Sequence, residues 1–537
     1  MTDDHMSFDL INEPWLPVRF PDGSAGEVSL RDTLVRAHQI AGLNVDYPTQ
    51  EPALLRLLLA VCYRALQGPA DDDAWVELWS SGRLPQEPLN DYLERWRSRF
   101  DLFHPETPFF QSPRLKASGK DGSKPANKLI AYAPSGNNVP IFTPVTDATA
   151  LHLTPAEAAR WLIERHAWGT TSDKTGAEGN PRVKAGKDTP QIGHLGWIGF
   201  VAPLGDTLFK TLALNLVPWS RTALVTVGPD DLPAWERPPT DARRTERPPD
   251  GTCDLFTWQG RRIRLFPDTD GGRLTVSRVL ICAGDDVQRD AVGSVDPHTG
   301  WRLRTERDGT ISLTPTRAHM GRQVWRGLAA LLALDEDTKR AGVLSWLAAA
   351  EDMGIVSRVS LLVTAAEYGS MSTTMEDLIA DRLETAISVL REDDLAVATL
   401  ANDAATLAEK AAWALGHVAD ARYLKYDDEQ RRYVVPEGKS AQARGARAAL
   451  AEELFGELDQ RFRRFLVDLG SAEFVDHARR QWAEVVDSVA SELCRRRLTQ
   501  LTAAEAFTGA YAESRFRRAL LVARQSFAPS DPKETAA

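Results

Sequence analysis

The sequence predicts an α+β fold, with a large mixed α/β N-terminal domain over residues 1–400 and a C-terminal four-helix bundle over residues 401–537. Three observations carry this. Residues 253–315 contain short β-patterned runs, LFTW, RRIRLF, RLTVSRVLI, WRLR and TISL, divided by turn residues. Helical patterns lie on both sides of them, which mixes the two element types in one domain. Beyond about residue 400 four apolar-periodic segments follow, 401–424, 440–469, 472–499 and 502–525. In the second of these Leu454, Phe455, Leu458, Phe462, Phe465, Leu466 and Leu469 recur at helical spacing, as a bundle of antiparallel helices requires.

The elements follow in order. Phe8 to Val18 reads as short strands broken by Pro14 and Pro17. Residues 51–67 form a strongly apolar helix, and helices are expected at 71–81 and 88–100. Residues 104–150, rich in Pro, Gly, Ser, Asn and Lys, read as a long loop region. Thr154-Pro155-Ala156-Glu157 combines an N-cap, a first-turn proline and the glutamate of a capping box, so a helix starts there and runs to about His166. Residues 169–193 hold five glycines and two prolines and are again loop; a loop this long inside a compact protein is usually functional or disordered. A helix at 206–217, a Pro/Arg/Asp-rich linker at 228–251, helices near 318–334 and 339–352, a buried strand at 355–366 and a helix at 374–397 complete the domain.

Composition excludes several function classes. The hydrophobic fraction is 43% and the charged fraction 26%, ordinary for a soluble globular chain. No stretch approaches the roughly 18 uninterrupted apolar residues of a membrane span. Cys62, Cys253, Cys282 and Cys494 are scattered with no C-x-x-C pair, so neither a cysteine zinc site nor a disulfide framework is expected. The start, MTDDHMSFDL, is acidic and lacks the apolar region of a secretory signal, and a cytoplasmic location is expected. There is no H-E-x-x-H, no G-x-S-x-G, no G-K-[ST] and no G-x-G-x-x-G, so no catalytic residue, metal site or cofactor is assigned.

The net charge of −11 argues at first against a nucleic-acid partner, but its distribution qualifies that. Residues from 401 onward carry 21 basic and 21 acidic side chains, so the first 400 hold the whole imbalance. Only 13 of the 64 basic residues are lysine, and seven of those lie between Lys116 and Lys187. A local basic patch can bind phosphate whatever the global charge, because screening confines the field to about 8–10 Å.

A set of short motifs in fixed order then points to a family. FDLINEPWLPV at the start, HPETPFFQ at 104–111, KLIAYAPSGNN at 128–138, TLALNLVP at 211–218 and TWQGRRIRL at 257–265 together resemble the CasA family, the large subunit of the type I-E CRISPR Cascade complex. The order matches along nearly the whole chain, including the terminal four helices. The resemblance implies a subunit without a nuclease site. Such a subunit recognises the protospacer-adjacent motif (PAM) on double-stranded target DNA, helps open the duplex, and docks the helicase–nuclease. Its implied partners are that DNA, the crRNA-containing backbone and small subunits, and the helicase–nuclease; no membrane is involved.

Three segments carry the expected contacts. The glycine-rich basic loop offers Lys174, Gly176, Gly179, Asn180, Arg182 and Lys184: glycine permits close backbone approach, the cations neutralise phosphate, and an amide suits the narrow minor groove. The resemblance places a PAM-reading glycine loop here; a flexible surface loop is the alternative. Residues 113–143 add Arg114, Lys116, Lys120, Lys124 and Lys128, then a turn at Gly136, Asn137 and Asn138, which the resemblance makes DNA-facing. Gly369, Ser370, Met371 and Ser372 form an exposed tip after the 355–366 strand, and Thr373-Thr374-Met375-Glu376 reads as the capping box of the helix that follows. The resemblance implies a wedge at this tip. Some relatives carry amides there; Met371 and Ser372 depart from that and still permit a steric wedge, as apolar residues pry base steps apart, and an ordinary strand–helix turn is the alternative. The arginines of the terminal helices, among them Arg463, Arg479, Arg495, Arg496, Arg515 and Arg517, are mostly interleaved with acids at helical spacing and read first as a salt-bridged face; contact with displaced or target-strand phosphates and with neighbouring subunits is the functional alternative. Two further readings stay open: a structural scaffold with only weak nonspecific DNA contact, and a metal-independent hydrolase whose residues only the fold would assemble.

Overall fold

The computed structural model describes residues 6–119, 122–133, 151–354, 357–391, 395–471 and 475–528. Two compact units divide the chain. The first comprises Met1–Met320, Asp337–Trp346 and Ser360–Arg382; the second comprises Gly321–Glu336, Leu347–Val359 and Leu383–Ala537.

In the first unit the helix Gln50–Leu66 is apolar on every side and buried nearly throughout, as its sequence requires. Of its two cations, Arg56 meets Asp296 at 2.8 Å and is fully enclosed, and Arg64, in the last turn, meets Glu236 at 2.7 Å. The helix Pro155–Trp168 begins where the local signals put it. Thr154 Oγ1 accepts from Glu157 N at 3.2 Å and Glu157 Oε2 accepts from Thr154 N at 2.7 Å, with Pro155 in the first turn. Two long strands, Arg261–Asp270 and Arg273–Ala283, pair antiparallel, and Lys124–Pro125 adds a short third strand. A second antiparallel sheet runs Met375–Ala386, Arg358–Tyr368, Phe200–Leu204.

Four elements differ from the sequence reading. Residues 375–386 are a strand and not the start of a helix; Ile387–Leu390 is a 3-10 turn, and the helix proper begins at Leu395. The Thr373–Glu376 capping signal is purely local, and pairing with the apolar strand Arg358–Tyr368 overrides it. The LFTW run lies in and just after the short helix Thr252–Phe256, because Asp231 caps that helix from 22 residues upstream, accepting from Cys253 N at 2.7 Å and Asp254 N at 2.9 Å. Within Phe8–Val18 only Leu16 and its successors to Arg19 are a strand; Asp9 turns the earlier part by accepting from Ile11 N and Asn12 Nδ2. Helix near 318–334 is confined to the 3-10 turn Val324–Gly327 and Leu328–Leu332.

The second unit contains the four expected helices: Leu395–Ala419, Ser440–Asp468, Val475–Leu498 and Ala506–Phe527. Leu395–Ala419 packs on the other three. Buried alanines at 398, 401, 404, 408 and 411 let them approach its backbone closely, and Leu450, Leu454, Leu458, Phe462 and Leu466 supply the bulk of the facing helix. Trp325, from an earlier segment, stacks on Phe462 at 4.4 Å, which ties Gly321–Glu336 into this unit. A small hairpin, Lys425–Asp427 with Arg432–Val434, sits between the first two helices in sequence.

Candidate nucleic-acid interface

The glycine-rich loop folds as a small ladder. Ala117 pairs with Ala177, Thr175 with Lys187, and Lys184 with Lys187. Ser118 N donates to Gly176 O at 2.8 Å and Glu178 N to Lys116 O at 2.8 Å. Beneath it Ala177 joins Leu115, Leu280 and Cys282 in an apolar cluster, which anchors the loop to the long strands. The ladder brings Lys116, Lys184 and Lys187 together on the surface, with Lys174 half-buried.

The two key glycines differ. A Cβ at Gly176 would sit 2.6 Å from Val183 Cγ1 and 2.8 Å from Gly186 O, so that glycine serves packing. Gly179 has φ +86° and open space where a side chain would go, so its bare backbone faces solvent. Asn180 is only 6% exposed. Its Nδ2 donates to Asp188 Oδ2 at 2.9 Å and its Oδ1 accepts from Arg182 N at 3.1 Å. Arg182 Nη1 donates to Asp286 Oδ2 at 2.8 Å, and Arg244 reaches Asp286 at 3.1 Å and Asp188 at 3.4 Å. Asn180 and Arg182 therefore hold the loop in shape through contacts the sequence reading did not foresee. Of the 113–143 segment, Lys124 is exposed, Lys128 is turned inward, and Lys120, Gly136, Asn137 and Asn138 lie outside the described residues.

The tip after Arg358–Tyr368 is exposed and strained. Met371 is 78% exposed at φ +53°, and Ser372 follows at φ +55°. Left-handed backbone costs a non-glycine residue about 1–2 kcal/mol, so something must hold it. Thr171 does so: its N donates to Ser372 O at 2.9 Å and its Oγ1 to Met371 O at 2.6 Å. Thr171 belongs to the segment that continues directly into Lys174–Lys184, so one stretch of chain latches the tip and forms the basic loop.

Behind that stretch lies a cluster of buried charge. Asp173 accepts from Arg165 Nε at 3.0 Å and Nη2 at 2.5 Å and from Arg261 Nε at 3.0 Å, and Lys128 Nζ stands 3.5 Å away. Burial works to raise the Asp173 pKa, but Arg165, Lys128 and Arg261 overcome it and hold the carboxyl well below the usual range. Burial lowers the Lys128 pKa, with Asp173 opposing. Next to the cluster Glu164 accepts from Thr49 Oγ1 at 2.8 Å, and burial pushes its pKa up to about 7. Three cations thus surround one carboxylate, and Arg261 disperses part of the excess onto the Gly260 and Thr170 carbonyls. Arg261 is the first arginine of TWQGRRIRL, so that motif marks a buried clamp. Among the described residues no group of three His, Cys, Asp or Glu side chains is arranged to hold a metal ion, and no helix is long and apolar enough to cross a membrane.

Comparison with known proteins agrees with this architecture. Residues 9–493 match the family model for CRISPR-associated protein Cse1. The chain is 34% identical over 370 residues to CRISPR-associated protein CasA/Cse1 of Thermus thermophilus, covering 66% of this chain and 67% of the relative. Cse1 from Acidimicrobium ferrooxidans superposes with a TM-score of 0.93 at 55% identity, over 98% of this chain and 100% of the other. A chain of a CRISPR RNA-guided surveillance complex shares the fold at 21% identity, with a TM-score of 0.66 over 97% and 99% of the two chains.

Proposed function

This chain belongs to the family of CRISPR-associated protein Cse1, and from that premise we propose that it is the non-catalytic large subunit of a type I-E CRISPR surveillance complex. It recognises the PAM on double-stranded target DNA, destabilises the duplex beside it to start R-loop formation, and docks the helicase–nuclease. Guide pairing reads the rest of the target, the division of labour of RNA-guided effectors. Its other partners are the crRNA-containing backbone and small subunits. The observation that carries the reading is the exposed, left-handed Met371 tip latched by Thr171, on the same segment as the Gly179 backbone and its lysines. An apolar wedge latched by the stretch of chain that carries a bare backbone and phosphate-neutralising cations is the equipment for opening a base step next to a read motif.

A scaffold with only weak nonspecific DNA contact is the competing reading, and the internal engagement of Asn180 and Arg182 favours it. Selection from duplexes randomised beside the protospacer, using the crRNA-loaded complex, separates the two. The wild type should enrich a short motif. Gly179→Leu should lose about 1–3 kcal/mol of preference for that motif with little change on other duplexes. Lys174→Ala with Lys184→Ala should weaken all duplexes and make the salt dependence shallower. No enrichment by the wild type would favour the scaffold. Unchanged enrichment in Gly179→Leu would remove this loop as the reader and leave the Gly136–Asn138 turn as the candidate.

A further inference from the structure

The helical unit carries a concave site of its own. The end of the helix Leu395–Ala419, the hairpin at 425–434, the start of Ser440–Asp468 and the helix Ala506–Phe527 enclose a cavity of about 430 Å³. That falls in the range of about 300–1,000 Å³ common for small-molecule sites.

The cavity wall is cationic. Arg432, Arg444, Arg447 and Arg515 line it, against one acid, Asp420. Asp420 is already engaged, because Arg447 Nε and Nη2 both donate to it at 2.7 Å. Arg432 donates only to the neutral Gln430 side chain, at 2.9 and 2.7 Å. Among the described residues Arg444 and Arg515 have no ion-pair partner. Elsewhere in the unit Arg463, Arg495, Arg496 and Arg517 each meet an acid about one helical turn away, while Arg461, Arg464, Arg480 and Arg518, like Arg444 and Arg515, meet none among the described residues.

Aromatic rings complete the wall. Tyr433 and Tyr511 both line the cavity with centroids 4.9 Å apart, tilted by 49°. His417 also lines the cavity, and Trp413, outside the lining and 67% exposed, packs its ring edge-on against it. Guanidinium forks match phosphate oxygens in pairs, and aromatic faces stack nucleobases without regard to sequence.

We propose that this cavity binds a nucleotide, with its phosphate on Arg432, Arg444 and Arg515 and its base against the Tyr433–Tyr511 pair. The site does not depend on the PAM reading, since the residues and the unit are different. A free nucleotide and a nucleotide unit of a single strand present the same chemistry, and the test tells them apart.

Calorimetric titration of the full chain with AMP, adenosine, inorganic phosphate and a short oligothymidylate tests it. AMP or the oligothymidylate should bind at least about tenfold more tightly than both adenosine and phosphate, the scale of one charge-assisted hydrogen bond. Arg444→Ala with Arg515→Ala should weaken that binding about tenfold or more per guanidinium, while Arg517→Ala, outside the cavity, should leave it unchanged. Tighter binding of AMP assigns a free nucleotide; tighter binding of oligothymidylate assigns a strand. Should the double variant melt lower than wild type, Arg515→Lys keeps the charge without the fork, and a loss of about tenfold, that of one guanidinium, is expected there. Equal binding of all four probes, or unchanged affinity in a folded variant, overturns the proposal.

Discussion

Met371→Gly should make the protein slightly more stable and a poorer duplex opener. Met371 holds φ +53° with its side chain 78% exposed, so truncation removes little packing. Glycine at this φ relieves about 1–2 kcal/mol of left-handed strain. Against that stands about 0.5–1 kcal/mol for the greater freedom of glycine in the unfolded chain. The net change is a gain of up to about 1.5 kcal/mol, read from the midpoint of urea unfolding. The opening step should move the other way. A methionine side chain driven between bases contributes about 1.5–3 kcal/mol of burial, so without it the opening equilibrium falls about ten- to hundredfold. A fluorescent base analogue placed beside the PAM in the crRNA-loaded complex reports that equilibrium. Two results would refute the reasoning. A loss of more than about 1 kcal/mol in stability would mean that Met371 supports the fold. Opening equal to wild type would mean that the tip is not the wedge.

Asp173→Asn should cost about 3–5 kcal/mol, because Arg165, Arg261 and Lys128 are left without their buried counter-charge; urea unfolding at neutral pH measures it. Glu164→Gln should stabilise the protein in a pH-dependent way. Burial keeps the Glu164 proton on up to about pH 7, while the unfolded chain releases it near 4.5, so wild-type stability falls as pH rises through that window. The amide removes that fall, and the difference between variant and wild type should grow by about 3 kcal/mol between pH 4.5 and 7, as parallel unfolding curves would report.

The sequence was legible wherever structure follows from neighbours a few residues apart. Thr154, Pro155 and Glu157 specify a helix start among themselves, and the apolar period of 450–466 specifies a buried helix face. It failed where a distant partner outbids a local signal. The capping box at Thr373 is locally sound, yet the chain there pairs with Arg358–Tyr368. The LFTW run has strand-forming residues, yet its first two close a short helix that Asp231 caps. The candidate site shows the same division. Glycines, lysines and the exposed tip were readable as residue types. Asn180 read as an outward donor because nothing in its neighbourhood reveals that Asp188 turns the amide inward. Thr171 and Asp173 were missed because Met371 and Arg261, which give them their roles, lie 200 and 88 residues away. The recurrence of TWQGRRIRL as a family mark was the one signal that could have pointed to Arg261.

The strained tip and the buried charges form one device. A left-handed methionine stays put only if its latch is stiffer than the strain it resists. Thr171 alone, a half-buried threonine in a glycine-rich loop, would yield. It does not stand alone, because each of its neighbours is fixed separately. The Thr170 carbonyl accepts from Arg261 Nη2 at 2.8 Å, Ser172 Oγ accepts from Lys128 Nζ at 3.0 Å, and Asp173 is clamped by Arg165 and Arg261. Three cations around one carboxylate is costly as a way of stabilising a fold, and apolar packing of similar volume would serve as well or better. What the cluster supplies is direction: long, forked side chains reach the backbone and side chains of the residues flanking Thr171 at fixed angles. Positional rigidity next to an exposed apolar tip is the property a wedge needs, since a tip that relaxes on contact cannot force stacked bases apart.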